Sequence, residues 1–129
     1  MTEVRLRAAG TAPVETVWRR YVTPGCWPEW SPQIRAVRVA GDRVVPGLRG
    51  EIRTVLGVGV PFVVEAVDEE RRIWSWRVRL GPVRLRLRHE VRERPGGGAL
   101  TELRVTGPVW AVAGYAPLAR LALRRLVRR

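Results

Sequence analysis

Between residues 34 and 106 the chain offers six strand-like stretches in succession, and most breaks between them are too short for a crossover helix. They span 34–40, 50–56, 60–68, 73–80, 83–94 and 99–106. Gly41-Asp42, Gly57 with Gly59, Gly81-Pro82, and Pro95 with three glycines punctuate them. Parallel neighbours need a long crossover, so strands joined by such turns pair antiparallel. A seventh strand precedes them. Residues 3–9 alternate, with Val4, Leu6 and Ala8 on one side and Glu3, Arg5 and Arg7 on the other.

The segment between the first strand and the other six reads as two short helical pieces. Thr11-Ala12-Pro13 opens a helix whose apolar face is Val14, Val17, Trp18 and Tyr21, and Pro24-Gly25 ends it. Residues 26–34, CWPEWSPQI, hold too much proline for a long regular element and read as a short helical turn between two bends.

Only residues 108–129 are long enough for a major helix. Val109, Val112, Ala113, Ala116, Ala119, Ala122, Leu123 and Leu126 recur at helical spacing, and Arg120, Arg124 and Arg128 form a stripe opposite. Pro117 predicts a kink or restart near Tyr115 and Ala116. A lone helix with an apolar face needs a partner, and the sheet is the surface on offer. The expected fold is therefore α+β: one domain, 1–129, with a seven-stranded curved antiparallel sheet around a long C-terminal helix and two short helices after the first strand. Space left between helix and sheet is the candidate site.

Composition narrows the chemistry. With 46% hydrophobic residues the chain can bury a core, and a single cysteine, Cys26, excludes an intrachain disulfide and points to a reducing, cytoplasmic setting. The N-terminus carries no apolar signal core, and no run could span a bilayer. The net charge of +12 comes from 24 basic residues, every one of them arginine. Lysine binds phosphate well, so its absence is better explained by a GC-rich genome than by selection for phosphate. The strand arginines alternate with apolar residues, which suits a solvated outer sheet face; no specific nucleic-acid partner is expected, and the charge leaves weak contact with anionic membranes open. One histidine and one cysteine cannot build a usual zinc site, and GxGxxG, Walker and GxSxG patterns are all absent. Neither a metal nor another cofactor is expected.

Period two assigns the inner faces. On 83–94, Val83, Leu85, Leu87, His89 and Val91 share one side, and Arg84, Arg86, Arg88, Glu90 and Arg92 the other. The only histidine therefore points into apolar surroundings. It is either a polar anchor or acid/base group in a cavity, or a core histidine satisfied by Tyr115 or a backbone carbonyl. On 73–80, Trp74, Trp76, Val78 and Leu80 face inward, as core filling or as an aromatic wall with indole donors. Hairpin pairing across Gly81-Pro82 sets His89 roughly level with Trp74. On 50–56, Ile52, Thr54 and Leu56 look inward, sending Glu51, Arg53 and Val55 outward, while the face of 60–68 is ambiguous. Trp27, Pro28 and Trp30 sit where they would cover a cavity mouth, and Trp110 and Tyr115 where the long helix would close it.

Ala12-Pro13, Val17-Trp18, Trp30 with Ser31-Pro32, the turn-rich strand series and the C-terminal helix together resemble the SRPBCC (START-like) superfamily. The WPEWSP segment is most similar to its polyketide cyclase/dehydrase branch. The resemblance implies a helix-grip fold, in which the sheet wraps the helix around a cavity for a lipid, polyketide or related hydrophobic molecule. It also implies an inward Arg53, paired with Glu65 or holding a ligand carbonyl. The ligand-binding set is then Trp27, Trp30, Arg53, Trp74, Trp76, His89, Trp110 and Tyr115. The alternative is an aromatase/cyclase-dehydratase with His89 as acid/base, and with Tyr115 and Arg53 steadying an enolate.

Overall fold

A computed structural model describes all residues, 1–129. Strand β1 (Thr2–Gly10) leads through helix α1 (Val14–Val22), a single 3₁₀ turn (Pro24–Cys26) and the short helix α2 (Trp27–Trp30) into six further strands. These are β2 (Ile34–Val39), β3 (Arg49–Thr54), β4 (Gly59–Asp68), β5 (Ile73–Leu80), β6 (Val83–Glu93) and β7 (Ala99–Gly107), followed by helix α3 (Val109–Leu126). All seven strands form one antiparallel sheet in the order β1-β7-β6-β5-β4-β3-β2. The chain meanders from β2 to β7, and β1 closes the series beside β7.

The inner face follows the alternation. Val83, Leu85, Leu87, His89 and Val91 are all buried, and Trp74 lies directly opposite His89 across the hairpin. The face of β4 reads ambiguously because the strand carries a bulge. Val64 pairs with Trp76 and Ala66 with Ser75, which leaves Glu65 as the extra residue. Val60, Phe62 and Val64 are inward before the bulge; beyond it the phase shifts and Val67 comes opposite Trp74.

Helix α3 runs unbroken through Pro117 rather than restarting there. It buries Val112, Ala119, Ala122, Leu123 and Leu126, whereas Val109 and Ala113 stay exposed. The helix packs mainly over β1, with fewer approaches to β7. Two features tie its C-terminus down. The Ala12 N–H donates to the Val127 carbonyl at 3.1 Å, and Arg20 donates to the Leu126 and Arg128 carbonyls at 2.6 Å each. These satisfy carbonyls that every helix end leaves without an internal partner. Gly10 permits the approach, since a Cβ there would run into the Val127 carbonyl. With α3 seated over one side of the curved sheet, the space above β3 to β6 is left to be filled by something other than the helix.

Candidate functional site

That space is a cavity of about 300 Å³, lined by Trp74, Trp76 and Val78 of β5, Leu85, Leu87 and His89 of β6, Ile52 and Thr54 of β3, and Tyr115, Leu118, Ala119, Ala122 and Leu123 of α3. Trp27 and Trp30 of α2 and Gln33 complete the wall on the side of the short helices. Twenty of the 24 lining residues are hydrophobic, and the rest are Ser31, Gln33, Thr54 and His89. In a chain with 24 arginines the wall holds no charged side chain.

His89 is the most constrained polar group. It is 3% exposed, stacks on Trp74 with ring centroids 4.6 Å apart and planes 12° from parallel, and lies 4.8 Å from the Tyr21 ring. The Trp76 indole N–H donates to its Nε2 at 3.0 Å. An accepting Nε2 places the ring proton on Nδ1, and that N–H has no partner in the protein. Burial pushes the imidazole pKa down from 6.5 to about 3, because charging the ring would strand a cation among indoles. The expected partners of a core histidine, Tyr115 or a backbone carbonyl, are thus replaced by the indole of the neighbouring strand.

The tryptophans divide their polar atoms unevenly. The Trp27 N–H donates to the Tyr21 carbonyl at 2.8 Å and the Trp30 N–H to the Arg20 carbonyl at 3.2 Å. Both satisfy free carbonyls at the end of α1 and so hold α2 against the mouth of the cavity. Trp74 Nε1 is the one indole donor of the wall without a partner, and Gln33 Oε1 is similarly unpaired. Buried polar atoms normally find partners, so Trp74 Nε1, His89 Nδ1 and Gln33 Oε1 stand out as three unsatisfied atoms on residues that line the cavity.

Tyr115 lines the cavity, and burial pushes its hydroxyl up to about 12, so it stays protonated at neutral pH. Tyr21, read from the sequence only as core, touches the site through His89. Its hydroxyl lies 2.5 Å from Thr101 Oγ1, which donates to the Glu90 carbonyl at 3.1 Å, and burial raises its pKa further than that of Tyr115. The signal was present in the α1 apolar spacing, but nothing local says that α1 lies across β6.

The structure gathers Trp27, Trp30, Trp74, Trp76, His89 and Tyr115 around one cavity and leaves two expected residues outside it. Arg53 points away from the wall and donates to Glu51 at 3.1 Å. Glu65, its expected partner, is taken by Arg77 and Arg86 at 3.3 and 3.1 Å. The inward Arg53 implied by family resemblance is therefore corrected; strand alternation had placed it outward, and desolvating a guanidinium in an uncharged cavity gives the reason. Trp110 is 67% exposed and sits outside the lining, on a first turn of α3 whose Val109 is exposed as well.

Over residues 1–129 the sequence matches the family described as "Polyketide cyclase / dehydrase and lipid transport". No functionally curated protein matches it. Among solved structures it is similar to XoxI from Bacillus cereus, at a TM-score of 0.83 and 17% identity, covering 98% of this chain and 94% of that one. Ara h 8.0201 matches at a TM-score of 0.77 and 14% identity, over 97% and 94% of the two chains. The di-domain ARO/CYC BexL from the BE-7585A biosynthetic pathway matches at 0.82 and 18%, covering 98% of this chain but 45% of that one. At such identities these likenesses establish the helix-grip fold.

Proposed function

The chain belongs to the polyketide cyclase/dehydrase and lipid transport family, and from that premise we propose that it binds a small, uncharged, largely apolar molecule in the cavity between sheet and α3. One observation carries the reading: a protein of net charge +12 keeps a cavity of about 300 Å³ free of any charged side chain. A carboxylate or phosphate buried there would find no counter-charge, and the desolvation cost would exclude it. An apolar body with one accepting oxygen, a carbonyl or hydroxyl, suits the Trp74 and His89 donors. The volume sits at the low end for small-molecule pockets, which favours a compact ligand over a long two-chain lipid.

The second reading, an aromatase/cyclase with His89 as acid/base, draws on the family description and on the unpaired Nδ1 of a histidine that lines the cavity. A catalytic acid or base works best with a pKa near the working pH. An imidazole at about 3, with no carboxylate beside it, is a poor proton carrier and a good neutral donor. The binding reading is therefore preferred.

Titration with an apolar fluorescent probe, followed through tryptophan emission, and native mass spectrometry of the purified protein test it. His89→Phe should keep the fold and change ligand preference by removing one donor, whereas Trp76→Ala should weaken binding of every ligand by removing wall area. Saturable binding that neither variant alters would place the ligand elsewhere.

A further inference from the structure

The exposed apolar side chains are not scattered. Strand register puts the β3–β4 turn, the β5–β6 turn and the β7–α3 junction at one end of the sheet. Six of the ten exposed large hydrophobic residues lie there: Val55, Leu56, Val58, Leu80, Val109 and Trp110. Leu56 is 87% exposed, at the tip of a turn that offers water nothing polar beyond its backbone. Four of the six, Val55, Leu56, Val58 and Leu80, also line the cavity, so the cavity opens through this patch.

The charges around the patch differ from those on the rest of the central strands. On β5 to β7 the other arginines share carboxylates: Arg77 and Arg86 take Glu65, Arg88 and Arg92 take Glu90, and Arg104 takes Glu102 together with Arg7 of β1, whereas Arg5, Arg35, Arg38 and Arg49 of β1, β2 and β3 form no ion pair. At the mouth, Arg79 and Arg84 stand directly opposite each other across β5 and β6, and neither forms an ion pair. The Arg79 guanidinium donates only to the Gly81 carbonyl, at 3.3 Å. Two like charges in cross-strand register repel, and an anion between them would turn that repulsion into attraction.

We propose that this end docks on an anionic lipid bilayer, with Leu56, Val58 and Trp110 entering the interface and Arg79 and Arg84 meeting lipid phosphates. An apolar turn, an exposed indole and unpaired arginines on one surface form the combination that lipid interfaces retain. The docked mouth faces the hydrocarbon, so an apolar guest passes between bilayer and cavity without crossing water.

Sedimentation with vesicles of phosphatidylcholine containing roughly one quarter phosphatidylglycerol tests the proposal without any cavity ligand, so its outcome is separate from that of ligand binding. Leu56→Asp and the double change Arg79→Glu/Arg84→Glu should each lower vesicle affinity by about tenfold or more. All three side chains are exposed, and thermal melting of both variants should match the parent. The control is Arg128→Glu/Arg129→Glu, the same charge change at the far end of α3, which should cost much less. Equal losses in the two arginine pairs, or no vesicle binding by the parent, overturns the proposal. So does a concentration-dependent dimer that Leu56→Asp dissolves, since that assigns the patch to a second copy of the chain.

Discussion

The burial of His89 makes a quantitative statement about pH. Unfolded, the imidazole takes up a proton below its ordinary value of 6.5; in the fold it resists protonation down to about 3. Between those limits the unfolded chain binds more protons than the folded one, so stability falls as pH falls through the window. Taking the two values at face value, the loss between pH 7 and pH 5 is about 2 kcal/mol. The clean measurement compares the parent with His89→Phe. At pH 7 the variant should be less stable by about 1–3 kcal/mol, because the Trp76 N–H loses its acceptor. At pH 5 that deficit should shrink by about 2 kcal/mol, since phenylalanine has no proton to gain. Glu69 and Glu90, whose values are lowered by their hydrogen-bond partners, add stability that is lost only at more acid pH; they are common to both proteins and cancel. Urea unfolding of both chains at the two pH values provides the four free energies. A deficit identical at pH 7 and pH 5 would falsify the buried, neutral histidine and with it the uncharged character of the cavity.

Two further substitutions probe how α3 is seated. Leu123→Asp places a carboxylate at a position 1% exposed, facing both cavity and sheet, and should cost roughly 4 kcal/mol or more; an unchanged melting temperature would refute the packing of α3 on the sheet. Gly10→Ala should destabilise by roughly 1–3 kcal/mol, although its backbone conformation suits any residue, because the added methyl meets the Val127 carbonyl and lifts the helix terminus. Hydrogen exchange confined to the last turn of α3 would report it, and unaltered protection there would argue against the close approach.

Much of this molecule was legible before any coordinates. Period-two alternation in β1, β5 and β6, together with glycine and proline turns, determined seven strands, their antiparallel pairing and the inward direction of Trp74, Trp76 and His89. The short turn at Gly81-Pro82 even determined the Trp74–His89 register, because a tight hairpin leaves little freedom in pairing. Such information is local: side chains one or two residues apart see the same pleat.

What tertiary structure decided was every relation between distant segments. No spacing reveals that the Glu65 bulge reverses the phase of β4, that Tyr21 of α1 reaches the His89 ring, or that the Trp27 and Trp30 indoles hold the end of α1 and leave Trp74 as the unpaired donor. Trp110 fell outside the cavity for the same reason, on an exposed first turn of α3, whereas the outward side of Arg53 was already set by the alternation of its own strand. A side chain's face is set by its own strand, but its partner, its solvation and hence its pKa are set by whichever element the fold lays across it.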